Sequence, residues 1–114
     1  MIMQVIFVVL NKVDCLDDLL ARLKKAGVTG GTIVDSTGMV KSIDESDESY
    51  LLGSLRLFLE NPLPESKTIF FIVNDNQVEL VRKTVDDAVG GINNPHTGIM
   101  FGMPISFADG LMKK

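Results

Sequence analysis

The chain opens on an almost unbroken apolar stretch. Residues 4–11 read Gln-Val-Ile-Phe-Val-Val-Leu-Asn. A continuous run of Val, Ile and Phe, rather than strict alternation, predicts a central strand with little exposure. Asp14 then stands where an N-cap is wanted. Leu16, Leu19, Leu20 and Leu23 follow at the i, i+3, i+4, i+7 spacing of an amphipathic helix. Asp17 and Asp18 in its first turn, and Lys24 and Lys25 in its last, suit the helix dipole. Gly27 closes it, because glycine takes the left-handed conformation that ends a helix. Residues 32–36 form a second strand, and Thr37-Gly38 begins a turn.

The pattern changes in the middle. Residues 41–49 are polar and acidic, with Asp44, Glu45, Asp47 and Glu48, and read as a solvated loop. Over 50–60, Leu51, Leu52, Leu55, Phe58 and Leu59 share one helical face. Ser49 or Asp47 is placed to cap a short helix there, and Asn61-Pro62 to stop it. Pro62 and Pro64 keep the following stretch extended. A new apolar strand covers 68–74, and Asp75 or Asn76 is placed to cap a helix bearing Val78, Val81, Val85 and Ala88. Gly90 ends that helix, 91–97 is a loop, and 98–105 is a last strand.

The two ends of the chain match each other. Shifting by 63 residues, the separation of Ile6 from Ile69, also sets Phe7 against Phe70, Val9 against Ile72 and Asn11 against Asn74. The same shift sets Gly27 against Gly90. Strand, helix and helix-ending glycine thus recur in register. That is the footprint of a βαβ-βαβ arrangement, the α+β ferredoxin-like fold with an antiparallel sheet, here with an extra short helix between strands 2 and 3. Right-handed crossovers put both helices on one face. The opposite face then needs a cover: a partner subunit, the 50–60 helix, or both.

Composition narrows the function. At 114 residues the chain is expected to be a single domain over 1–114, and 46% hydrophobic residues suffice for its core. A net charge of −4 with scattered Lys and Arg argues against duplex nucleic acid and anionic membranes. No apolar run approaches the roughly 20 residues of a membrane span. The greasy N-terminus lacks a basic flank and a small-residue cleavage site, so it is read as a strand and not as a signal peptide. The lone Cys15 suits a reducing cytoplasm, and one His with one Cys makes no structural zinc site. No nucleophile, base and orienting residue form a constellation, so an enzyme is not expected.

One segment carries candidate chemistry. Residues 90–98, Gly-Gly-Ile-Asn-Asn-Pro-His-Thr-Gly, place small and polar residues between a helix and a strand. Such a loop can aim several backbone N–H groups at an anion, with His96 and Thr97 as side-chain donors beside Asn94 and Gly98. The alternative is an ordinary connection, with Gly90 as helix cap and Asn-Pro as a turn. Cys15 and Tyr50 read as packing residues.

The chain resembles the PII (nitrogen-regulatory) signal-transduction family. The resemblance rests on Leu16-Asp17-Asp18-Leu19 and Ala26-Gly27-Val28-Thr29-Gly30-Gly31-Thr32-Ile33-Val34. In the second half it rests on Val73-Asn74-Asp75-Asn76-Gln77-Val78-Glu79 and on Thr97-Gly98-Ile99-Met100-Phe101, running to Pro104-Ile105. It covers most of 1–37 and 66–106. It implies a cytoplasmic homotrimer binding a small anionic ligand, an adenine nucleotide such as ATP or ADP, in clefts between subunits. A loop after the second strand would engage a target protein, here through residues 38–60. By the same resemblance Thr29, Gly30 and Thr32 line the cleft, with Ser36, Thr37 and Gly38 at a strand end by the subunit boundary, and 90–98 is where phosphate is cradled; the alternative for 28–32 is a turn into the second strand that needs glycine for its dihedrals. The chain departs from the pattern at several positions. Of the two glycines and the glutamine that open the family's loop, only Gly38 is kept; Val40 and Ser42 stand at the others. That glutamine helps to hold 2-oxoglutarate with magnesium and ATP. Ile99 replaces the phosphate-binding lysine, and two arginines fall near Gly110 and Met112. A ligand-free protein-interaction module on the same trimer is the alternative reading.

Overall fold

The computed structural model describes residues 2–38 and 65–111. Strand β1 (Met3–Leu10) leads through a 3-10 turn (Val13–Cys15) into helix α1 (Leu16–Lys25) and strand β2 (Thr32–Thr37). Strand β3 (Glu65–Asn74), a second 3-10 turn (Asp75–Gln77), helix α2 (Val78–Val89) and strand β4 (Gly98–Pro104) repeat the plan. The strands form one antiparallel sheet in the order β2-β3-β1-β4. Each helix therefore joins two strands separated by a third, which is the α+β ferredoxin-like arrangement expected. The short helix expected over 50–60, the acidic loop 41–49 and, beyond Gly38, the target-binding region 38–60 lie outside the described residues.

The core follows the period-2 alternation of the central strands. Ile6, Val8 and Leu10 of β1 and Ile69, Phe71 and Val73 of β3 are buried against the helices. Leu19 and Leu23 of α1 meet them, with Val81, Val85, Ala88 and Val89 of α2. Each fully buried aliphatic side chain stabilises the fold by about 1.5–3 kcal/mol. Leu16 and Leu20 are only half-buried, at the margin of the stripe.

Helix starts differ from the expectation by a residue or more. Asp14 lies inside the first 3-10 turn, where the Cys15 N–H donates to the Lys12 carbonyl at 3.0 Å. Cys15, without a side-chain hydrogen bond, takes the cap position of α1. In the second half Asn74 caps the 3-10 turn and Gln77 takes the cap position of α2, so neither Asp75 nor Asn76 is a cap. A capping box decides this, because Gln77, three residues on, accepts the Asn74 N–H on Oε1 at 3.0 Å.

Helix ends are duplicated atom for atom. Gly27 N–H donates to the Lys24 carbonyl at 3.1 Å and Val28 N–H to the Leu23 carbonyl at 2.9 Å. Gly90 and Gly91 do the same to Asp87 and Asp86, at 3.3 and 2.8 Å. Both are Schellman closures, and Gly27 and Gly90 have φ of 95° and 76°.

The second face of the sheet is apolar. Phe7 of β1 pairs across to Phe70 of β3 and Phe101 of β4. Its ring stacks on Phe101 at 5.1 Å between centroids and tilts against Phe70 at 5.5 Å. Val5, Val9, Ile72, Ile99 and Met103 extend the patch by register. Ile99 is 59% exposed, Phe101 46% and Met103 45%. No described element covers this face. The little exposure expected of β1 is therefore met on its helix side only.

Candidate functional site

The first group of candidate residues comes after α1. Once the Schellman closure has turned the chain, Thr29 and Gly30 run exposed toward β2. They line a cleft of about 340 Å³ together with Leu20, Leu23, Lys24 and Ile33. A Cβ on Gly30 or Gly38 would meet nothing within 4 Å, and neither has the positive φ that demands glycine. Packing among the described residues thus gives no reason for glycine at either position. Along β2, Thr32 pairs with Phe70, Ser36 with Ser66 and Thr37 with Glu65. The Ser36 hydroxyl lies 2.6 Å from that of Ser66 and 2.9 Å from that of Thr68, so it belongs to a chain of three hydroxyls. Ser66 is only 2% exposed. Neither Ser66 nor Thr68 stands out in the sequence, although their i, i+2 spacing on a strand puts both on one face.

The second group comes after α2, and its polar groups are largely engaged with one another. The Ile92 N–H donates to Asp86 Oδ1 at 2.8 Å, and the Asn94 N–H to the Gly91 carbonyl at 3.0 Å. Asn94 Nδ2 donates back to the Gly90 carbonyl at 2.8 Å. Thr97 is 5% exposed, and its hydroxyl lies 2.9 Å from the carbonyls of both Ile92 and Asn94. The Thr97 carbonyl in turn accepts from Asn11 and Lys12, at 3.1 and 3.2 Å, tying the loop to the end of β1. His96 is exposed and left-handed, with φ 64°. Among the described residues the N–H groups of Asn93 and His96 find no acceptor, whereas that of the buried Thr97 faces the Asn94 carbonyl across the turn over 95–96. Gly98 has φ 152°, and a Cβ there would run into the Val9 carbonyl oxygen. Its glycine is required by close approach to β1.

Beside this loop lies a cleft of about 450 Å³ between α2 and the β4 edge. Its lining is apolar at Ile6, Val78, Ile92 and Met100, and polar at Gln4, Arg82 and Asn93. Arg82 and Asn93 are not singled out by the sequence. The arginine stands one turn after Val78, a spacing legible only once the cleft is known. Its guanidinium is held by Glu79 Oε1 at 3.0 Å. On the β2 side the ammonium of Lys67 pairs with Asp35 at 2.5 Å, directly across the strands. The hydrogen bond and charge of Asp35 raise the Lys67 pKa above its ordinary 10.5. Among the described residues no group of three or more His, Cys, Asp or Glu is placed to hold a metal, and no helix is long and apolar enough to cross a membrane.

The sheet order keeps the two groups apart. Thr29, Gly30, Thr32, Ser36, Thr37 and Gly38 lie along or beside edge strand β2, whereas Asn94, His96, Thr97 and Gly98 lead into the opposite edge, β4. Three inter-strand steps, about 14 Å, separate those edges. Within one chain the ten residues do not form a single site.

No family model matches the chain, and no curated protein sequence matches it. Solved structures do. B. subtilis GlnK in complex with ATP superposes with a TM-score of 0.63 at 23% identity, covering 92% of this chain and 83% of that one. B. subtilis GlnK superposes at 0.61, with 22% identity and coverage of 93% and 87%. Arabidopsis thaliana PII bound to citrate superposes at 0.64, with 17% identity and coverage of 92% and 78%. The chain therefore has the fold of the PII proteins, over nearly its whole length.

Proposed function

We propose that this protein is a PII-like regulator without catalytic activity, assembled as a homotrimer. Its ligand, a small anion, binds where the 91–98 loop of one subunit meets the 29–38 segment of the next. The face around Phe7, Phe70 and Phe101, which no described residue covers, carries the reading. An apolar patch of three rings and their aliphatic neighbours is costly in water and marks an association surface. Division of the candidate residues between opposite sheet edges adds to this. A head-to-tail ring brings the β2 edge of one copy to the β4 edge of another, which one chain cannot do for itself.

Within the loop, the N–H groups of Asn93 and His96 are the donors left for an anion, with the His96 side chain beside them. Asn94 and Thr97 act by holding the loop in shape, since their side chains bond its carbonyls. That internal saturation is also what favours the second reading, a ligand-free interaction module on the same trimer.

Sedimentation equilibrium tests the assembly. The expected mass is three times the 12.5 kDa of the chain, and Phe101→Glu, at an edge strand, is expected to shift it to monomer. A stable wild-type monomer would remove the intersubunit site and the proposal with it.

A further inference from the structure

We infer that Lys24 supplies the positive charge that meets the ligand's anionic group, and that it does so from the subunit opposite the one whose 91–98 loop holds that group. This rests on the trimeric, ligand-binding reading and assigns a specificity-determining residue to the same site.

The position of the two clefts comes first. The cleft of about 340 Å³ beside β2 is lined by Ile33, Ile69 and Phe71, and the cleft of about 450 Å³ beside β4 by Ile6 and Met100. Ile6, Ile69 and Phe71 are buried against the helices. Ile33 pairs with Ile69, and Met100 pairs with the buried Val8, so both share that side. The clefts therefore open on the helix side of the sheet, one at each edge. Edge-to-edge association in a ring sets the β2 cleft of one copy beside the β4 cleft of the next.

Charge is divided unevenly between them. In the β4 cleft the cation is Arg82, and Glu79 already holds its guanidinium. The N–H groups of Asn93 and His96 offer dipoles there but no net charge. In the β2 cleft the cation is Lys24. Among the described residues no carboxylate lies within ion-pair distance of it. Lys12 and Lys25 share that property, but neither lines a cleft. The dipole of α1 is served equally by Lys25 and Arg22, so it does not explain a lysine over this cleft. Lys24 is exposed, and Leu20 and Leu23 in the same lining give its stem an apolar bed. Gly30, also in that lining, has nothing within 4 Å of where a Cβ would stand, which leaves room for a ligand or a neighbour's loop. A carboxylate or a phosphate is thus met by N–H groups of one subunit and by an ammonium of the other.

Titration calorimetry on the intact trimer, with ADP and with citrate in separate runs, tests this and tells phosphate from carboxylate. Lys24→Met is expected to weaken whichever anion binds about tenfold, and Lys24→Arg to stay within about threefold of the wild type. Equal binding by the wild type and Lys24→Met would overturn the inference and leave the ligand reading standing. No binding of either anion by the wild type would overturn both. Mixed trimers test the subunit boundary. Asn93→Asp sets a carboxylate in the β4 half and is expected to weaken binding by itself. Coexpressed with Lys24→Met in equal amounts, it leaves about a quarter of the sites with both halves native, and these are expected to bind at wild-type affinity. If no such sites return, Lys24 does not act across the boundary and the inference fails.

Discussion

In both halves of the chain the helix ends on a left-handed glycine with the same pair of hydrogen bonds, at Gly27 and at Gly90. Beyond those glycines the two halves part. After Gly27 an exposed connector leads to a polar edge strand whose Asp35 and Ser36 pair with Lys67, Ser66 and Thr68. After Gly90 a longer loop, bonded to itself, leads to an apolar edge strand whose Phe101 stacks on Phe7. The scaffold is duplicated while the segments that could meet a ligand have diverged. Two unlike edges are what a head-to-tail ring needs, because each interface then joins one edge of either kind.

The largest test of this contrast is a pair of glycines. Gly98→Ala drives a Cβ against the Val9 carbonyl at an unfavourable φ and is expected to cost about 2–3 kcal/mol in urea unfolding. Gly30→Ala meets nothing and is expected to be neutral or to stabilise by about 0.4–1 kcal/mol. Equal losses at the two would show that the first connector is as constrained as the second. An effect of Gly30→Ala on ligand binding, without one on stability, would mark it as a place of close approach.

A smaller difference is expected from the hydroxyls. Thr97→Val keeps the buried shape and removes the donor to the Ile92 and Asn94 carbonyls, for an expected loss of about 1–2 kcal/mol. Ser36→Ala, on the polar edge, is expected to lose less, about 0.5–1 kcal/mol. Should Ser36 prove the costlier, the hydroxyl chain of the first half, and not the loop of the second, would be the tighter element.

The smallest effect is the pH dependence of the Asp35–Lys67 pair. Asp35 raises the folded-state pKa of Lys67 above 10.5, so the contribution is present in full below that pH and is lost as pH rises through the higher folded value. Thermal melts from about pH 9 to 11.5 are expected to show the wild type losing slightly more stability than Lys67→Met across the upper part of that range. Parallel curves would mean that solvent screens the pair completely.

Much of the fold is legible in the sequence because it rests on periodicity. The leucine stripe of 16–23, the valines of 78–89 and the glycines that end each helix follow from helix geometry and backbone sterics alone. The caps are less legible, since Asn74 competes with Asp75 and Asn76 and only the reach of Gln77 settles which is used. The candidate site is legible in parts. Residues 90–98 read as a loop able to face an anion, but their order does not reveal that Thr97 is buried or that Asn94 bonds Gly90. Those contacts depend on how a three-dimensional turn closes. Arg82 and Asn93 are invisible in the sequence because a cleft is formed by residues distant along the chain.

The sequence by itself determined the two βαβ halves and their register, because strand alternation, helical spacing and glycine closures are local and repeat at a constant shift. Only the tertiary structure decided that the candidate residues divide between opposite sheet edges. It also decided that Phe7, Phe70 and Phe101 join into one patch that no described element covers. Both are consequences of strand order, which local patterns do not encode: β1 and β3 become neighbours by pairing across more than half the length of the chain.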